Sequence, residues 1–355
     1  MAFYDIIDEK GVRMVSLIFK DGAMADAVLL FIFGLILLIK GGDWFVDGAC
    51  GIAKRFRIPD VLIGATVVSI GTTLPEVMVS ATGAINGQGA MAYGNAVGSI
   101  ICNTALIAAI TIAIKPAEVD RKSLIIPVCF FFGAAIFYSL VAIFAQEFQR
   151  WVGILLLVVF LIYMTFTIYK AFTSPDRKQK DELLNPDEKT EETVEEKSSP
   201  LWKELLFLII GAFLIAIGAD LLVDKGTYIA TAWGVPETVI ALTFVALGTS
   251  LPELVTAITS LIKGRGALSL GNLIGANLFN LVLVSGIAVT IAPFSLPIGK
   301  LVFGLNASLI IDIPVMFGVM ALMTLPALIR GKLSKVQGYI LLAIYASYVT
   351  LQFVL

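Results

Sequence analysis

Two stretches of the chain carry the same chemistry. Gly71-Thr72-Thr73-Leu74-Pro75-Glu76 and Gly248-Thr249-Ser250-Leu251-Pro252-Glu253 each set a carboxylate beside hydroxyls, a glycine and a proline in apolar surroundings. Glycine loosens a helix, and proline lacks an amide hydrogen and crowds the carbonyl one turn earlier. The pattern therefore predicts a broken or kinked helix with carbonyl oxygens freed next to Glu76 and Glu253. A second segment ends 27 residues after each glutamate. Gly94-Asn95-Ala96-Val97-Gly98-Ser99 leads to Asn103, and Gly271-Asn272-Leu273-Ile274-Gly275-Ala276 leads to Asn280. Its small residues suit close helix packing, whereas Asn103 and Asn280 supply neutral carbonyl oxygens. Carboxylates, amides, hydroxyls and freed carbonyls make an all-oxygen set. Hard cations want that set, calcium taking about 6–8 oxygens at about 2.3–2.6 Å. Thiolate and imidazole are missing from the motifs, which argues against zinc or copper, and magnesium demands stricter geometry. A blander reading, protonated glutamates as structural glue at two proline kinks, is weakened by the recurrence of the whole constellation.

The elements that position these residues lie in a membrane. Of the 355 residues 58% are hydrophobic and 15% charged, with a mean hydropathy of +0.94. Soluble proteins run about 45–50% apolar and about 25% charged. The apolar blocks are about 20 residues long, enough to cross a hydrocarbon core, and lack the alternation of a membrane β-barrel. Ten spans are expected at about 25–50, 58–86, 90–114, 122–145, 151–172, 202–226, 235–262, 267–292, 300–328 and 336–355. Residues 1–24 read as an amphipathic arm without a cleavable signal. Residues 173–201, rich in Asp, Glu and Lys, read as a linker between a first five-helix repeat at 25–172 and a second at 202–355. The net charge of −2 gives no sign of nucleic acid. Histidine is absent, and Cys50, Cys102 and Cys129 read as core packing.

A shift of 177 residues lays Gly34–Asn103 over Gly211–Asn280 without a gap, and 71–103 matches 248–280 at 14 of 33 positions. An odd number of spans per half makes the repeats inverted, an arrangement of secondary transporters with a site at mid-membrane. Among the short connections, one side holds Lys54, Arg55, Arg57, Lys115, Arg121, Lys122, Lys263, Arg265, Arg330, Lys332 and Lys335, the other Arg150, Lys225 and Lys300. Positive residues stay inside, which puts the linker in the cytoplasm and both termini outside, in a multi-pass cell membrane protein.

The paired motifs resemble the two α-repeats of the cation/calcium exchanger superfamily, in its prokaryotic sodium/calcium exchanger branch. The resemblance covers about 70 residues of each half, with the motifs at 63–103 and 240–280. It implies ten helices, alternating access by sliding of the first and sixth, and a site lined by the second, third, seventh and eighth. Carried over by position, the resemblance makes Glu76 and Glu253 calcium ligands that also serve sodium. Thr72, Thr249, Ser69 and Ala246 give backbone carbonyls, Thr73 and Ser250 give hydroxyls, Asn103 and Asn280 sit at the centre and Ser99 on the rim. Three positions depart from the family pattern: Asn280 replaces a frequent aspartate, Ala276 a hydroxyl, and Ile100 an asparagine. Two formal charges at the site match one calcium, two sodium ions or two protons.

The expected function is sodium/calcium antiport exporting calcium from the cytoplasm, with no cofactor and no enzyme activity. The partners are calcium, sodium and the lipid bilayer. A calcium/proton antiporter, electroneutral, is the alternative, and a cation channel fits the inverted halves less well. Asp43, Asp47, Asp220 and Asp224 are expected to line vestibules or pair with Lys40 and Lys225. Asn306, Ser308 and Asp312 are expected to bond between helices.

Overall fold

A computed structural model describes residues 24–56, 58–116, 119–173, 200–233, 248–296, 301–302 and 304–354. Its helices are α1 (Met24–Phe56), α2 (Asp60–Ile85), α3 (Gly89–Ile114), α4 (Arg121–Ala145), α5 (Arg150–Thr173) and α6 (Leu201–Ala232). The rest are α7 (Leu251–Ile262), α8 (Gly266–Ile291), α9 (Ser308–Arg330) and α10 (Lys335–Val354). The architecture is all-α, relieved by two-residue strands such as β1 (Glu147–Phe148) paired with β2 (Phe294–Ser295). Among the described residues eight helices, α1–α6, α8 and α9, are long and apolar enough to cross a membrane. Lipid offers no hydrogen-bond partner, so a spanning backbone must satisfy itself in this way.

Boundaries follow local chemistry. Asp120 caps α4 by accepting the amides of Lys122 (3.1 Å) and Ser123 (3.3 Å), and α9 ends at Gly331 with φ 70°. The ninth span starts later than expected at 300. Strands β3 (Leu301–Val302) and β4 (Leu305–Asn306) form a hairpin there, Gly304 between them at φ 79°. Nearly all of the expected arm, nearly all of the linker and the first part of the expected span 235–262 lie outside the described residues.

The 177-residue offset reappears in three dimensions. It carries the start of α1 onto the start of α6, Gly89–Cys102 onto Gly266–Phe279, and the hairpin glycine Gly87 onto Gly264, both at φ 72°. Helices α1 and α6 run antiparallel in backbone contact. A Cβ on Gly34 would meet Gly218 O at 3.1 Å, one on Gly41 would meet Gly211 O at 2.9 Å, and one on Gly48 would meet Glu204 O at 2.5 Å. Gly34 and Gly211 are counterparts, as are Gly41 and Gly218, so the contact is unchanged when the halves are exchanged.

Two large apolar clusters result, with a small third one of Ala84, Ala92 and Ala288. The larger joins α3, α4, α5, α8, α9 and α10 around residues such as Ile101, Phe131, Tyr163, Phe279 and Met320. The smaller joins Leu38, Phe45, Val46 and Ile52 of α1 to Ile215 of α6, Ile63 and Val68 of α2 and Leu268 of α8. Cys50 and Cys102 are buried, but Cys129 is on the exposed face of α4, contrary to the core reading. An apolar exterior accepts it because a lipid-facing surface is as apolar as the core.

Candidate cation-binding site

The expected interruption is present in the second motif helix, and the first stays helical through its proline. In the first half the backbone stays helical through Pro75 and widens earlier, into a π turn over Gly64–Val68. Pro75 still leaves the Gly71 carbonyl without its usual amide. One carbonyl of the widened turn, that of Ala65, accepts the Tyr163 hydroxyl at 2.9 Å. In the second half Thr249 and Ser250 form a turn, and α7 begins only at Leu251 with Pro252 in its first turn, where a missing amide is harmless. The motif glycines make room for neighbours: a Cβ on Gly71 would meet the Phe45 ring at 2.8 Å, and one on Gly248 would meet Val223 at 2.6 Å.

Glu76 and Glu253 are both fully buried, and their carboxyl groups are close enough to interact electrostatically. Ser99 lies beside the Glu76 carboxyl and Thr72 beside that of Glu253. Asn103 and Asn280, also fully buried, each open a π turn, Asn103–Ala108 in α3 and Asn280–Val284 in α8. A π turn inserts one residue and is common at functional sites. The two turns cross over, that of Asn280 packing on α2 and that of Asn103 on α7. Ser250 borders Cys102 next to both glutamates. All four carboxyl oxygens, both amide atoms of Asn103 and of Asn280, Thr73 Oγ1 and Ser250 Oγ are buried without a hydrogen-bond partner. Leaving so many polar atoms dry and unpaired costs about 1–3 kcal/mol each, more for charged groups. Cations among them would remove that cost.

Two side chains that the sequence reading left as part of a packing segment turn out to brace the site. Thr72 Oγ1 donates to Asn272 Oδ1 at 3.3 Å, and its counterpart Thr249 Oγ1 donates to Asn95 Oδ1, also at 3.3 Å. Asn95 Nδ2 further donates to the Glu76 carbonyl (3.1 Å) and to Ser80 Oγ (2.8 Å). The signal that could have found them is a polar residue at one place in both copies of a small-residue segment. The Ser69 hydroxyl sits between two carbonyl acceptors, Gly64 O of its own helix at 2.7 Å and Asn272 O of α8 at 2.9 Å. Ala246 lies outside the described residues. Ala276 is buried, and Asn277, the counterpart of Ile100, donates to Thr104 Oγ1 at 2.7 Å behind the site.

Away from the centre, Lys263 Nζ meets Asp47 Oδ1 at 2.7 Å and Asp43 O at 2.8 Å. Asp43 and Asp47 thus pair across to α7 rather than with Lys40, while Asp224 does pair with Lys225 at 2.8 Å. Asp312 Oδ1 accepts Tyr348 (3.0 Å) and Gln352 (2.8 Å), tying α9 to α10.

The sodium/calcium exchanger protein family matches residues 26–169 and 203–354. The chain belongs to that family. An uncharacterized membrane protein of Methanocaldococcus jannaschii is 33% identical over 322 residues, covering 89% of this chain and 94% of its own. The sodium/calcium exchanger MaX1 of Methanosarcina acetivorans is 28% identical over 360 residues, covering 92% and 98%. Among solved structures, the sodium-calcium exchanger NCX_Mj soaked with 2.5 mM Na+ and 0.1 mM Sr2+ superposes with a TM-score of 0.74. It is 30% identical, over 92% of this chain and 99% of that one. Membership makes this an integral membrane protein of ion antiport, in a family that exchanges sodium and calcium.

Proposed function

We propose that this family member exports calcium from the cytoplasm in exchange for sodium, by alternating access to one oxygen cage. Glu76 and Glu253 hold calcium and, in turn, sodium. Thr72, Thr249, Ser69 and Ala246 contribute backbone oxygens, Thr73, Ser250 and Ser99 hydroxyls, and Asn103 and Asn280 amide oxygens at the centre. The observation that carries the reading is the set of buried, unpartnered oxygens drawn equally from two equivalent segments. A divalent ion balances two carboxylates, as do two monovalent ions, whereas an empty cage holds two uncompensated charges in low dielectric. Only a loaded site should switch sides, which couples the two fluxes.

The antiparallel α1–α6 contact, unchanged on exchange of halves, supports ten helices in two inverted five-helix repeats. Basic residues at one set of connections support a cytoplasmic linker and outer termini. The test is calcium-45 uptake into proteoliposomes loaded with sodium, against potassium-loaded ones under a proton gradient. Uptake that needs internal sodium is the expected result. Uptake driven by the proton gradient alone would replace sodium with protons as the counter-ion, and uptake in neither case would overturn antiport.

A further inference from the structure

The faces of α7 and α8 that carry the site continue away from it. At about 100° per residue, Glu253, Thr256 and Ser260 share one side of α7, and Asn280, Ala276, Asn272 and Ser269 share one side of α8. The two helices are a packed antiparallel hairpin, closed by Arg265 N donating to Ser260 O at 2.7 Å and Ser269 N to Arg265 O at 3.2 Å. Thr72 touches Asn272 and lies beside Glu253, which fixes the inner end of this seam at the cage. Its outer end is the turn of Lys263.

Four polar atoms along the seam, Thr256 Oγ1, Ser260 Oγ, Ser269 Oγ and Asn272 Nδ2, are buried and make no hydrogen bond. Thr256, Ser260 and Asn272 are fully buried and Ser269 is 2% exposed. The equivalent seam between α2 and α3 is built differently. Val79, Gly83 and Ala92 stand where Thr256, Ser260 and Ser269 stand. Its one amide, Asn95, is engaged with Ser80 and Glu76, whereas Ala257 deprives Asn272 of the matching hydroxyl.

We propose that the α7–α8 seam is a second binding region, a file for water and partly hydrated monovalent cation between Glu253 and the membrane face of Lys263. Three buried neutral oxygens and one amide NH2 in line suit that occupant: each needs a partner that water supplies, the hydroxyl oxygens can also face a monovalent cation, and none carries the charge that would trap a divalent ion. Asp43, Asp47 and Asp60 outnumber Lys263 and Arg265 at the mouth and leave it net negative, attracting cations. The α2–α3 seam, apolar at the matching positions, stays dry, so the two faces of the membrane reach the cage by unlike routes. The proposal rests on the antiport reading only for the identity of the ion.

The experiment uses the full chain with its three native cysteines replaced by alanine, once exchange is verified. Ser269→Cys and its counterpart Ala92→Cys are treated, from each side in turn, with a membrane-impermeant cationic thiosulfonate. The expected result is labelling of Ser269→Cys from the Lys263 face, loss of exchange on labelling, and no labelling of Ala92→Cys. In parallel, the mild double variant Ser260→Ala/Ser269→Ala is expected to slow turnover while leaving half-saturation for calcium unchanged. Equal labelling at both positions overturns the proposal, as does no labelling together with a wild-type rate in the double variant. Labelling of Ser269→Cys in a protein that exchanges no sodium for calcium sustains the seam and sinks the antiport reading instead.

Discussion

Thr72 of α2 gives its hydroxyl hydrogen to Asn272 of α8 at 3.3 Å, while the counterpart of Thr72, Thr249, gives its own to the counterpart of Asn272, Asn95, at the same distance. Each bond joins one half of the chain to the other, so neither half completes the site alone. The braces are unequal. Asn95 engages three partners through its side chain, but Asn272 leaves Nδ2 unpaired. Asn95→Ala should therefore destabilise more than Asn272→Ala, by about 1–2 kcal/mol on the scale of individual buried hydrogen bonds. Thermal unfolding of both variants in detergent checks the order.

Removing a carboxylate charge separates stability from function. Glu76→Gln and Glu253→Gln each delete half the charge of the cage, and exchange should fall by at least about a hundredfold, two powers of ten being about 2.7 kcal/mol. Taking away a buried charge that has no partner should at the same time leave the ion-free protein as stable or more so. Calcium, which stabilises only by binding the folded form, should raise the wild-type melting temperature and leave both variants unmoved. Thermal melts with and without calcium decide this. A calcium-induced rise surviving in either variant would contradict the assignment.

Lys263 sits where the first half has Asn86. It is only 25% exposed in its side chain, but Asp43 and Asp47 are 39% and 53% exposed, so the pairing is screened and adds little stability. Lys263→Gln should shift the melting point hardly at all, yet make the mouth more negative. Calcium half-saturation measured from that face should drop about two- to threefold at low ionic strength, and the difference should fade in high salt as charges are screened.

The glycine contact between α1 and α6 should be the most sensitive structural feature. A side chain at Gly211 would place its Cβ 2.4 Å from the Phe45 backbone nitrogen. Neither backbone can yield, so Gly211→Val should cost more than about 4 kcal/mol and abolish monodisperse protein. Gly318 of α9 has nothing within 4 Å of an added Cβ. Gly318→Ala should be neutral or gain about 0.5–1 kcal/mol through helix propensity. Size-exclusion profiles and melting temperatures of the pair test both.

Much of this was legible in the chain because it depended on residue type and interval. Apolar block length marked the eight helices that are long and apolar enough to cross a membrane, and one offset of 177 residues paired two glutamates and two asparagines that are fully buried. What escaped notice depended on geometry over distance. A π turn changes hydrogen-bond register by one residue without changing hydrophobicity, so the widenings at Gly64, Asn103 and Asn280 leave no mark in the pattern. The Thr72–Asn272 bond spans 200 residues. The motif pattern predicts a break or kink in both copies: the second breaks at Thr249 and Ser250 between helical Gly248 and α7, whereas the first stays helical through Pro75, a difference that no residue type in the matched motifs signals. The glycines beside those prolines were read as flexibility, and the neighbours seated on them show that space is their use.

Bonds that map onto themselves when the halves are exchanged are the bonds of a homodimer. Each half contributes one buried carboxylate, one buried central amide and one threonine brace, as each subunit of such a dimer would. Lys263 against Asn86, Ser269 against Ala92 and Ala257 against Ser80 are differences that identical subunits could not have held. At those positions a site assembled from two like halves is no longer bound to behave alike on its two sides.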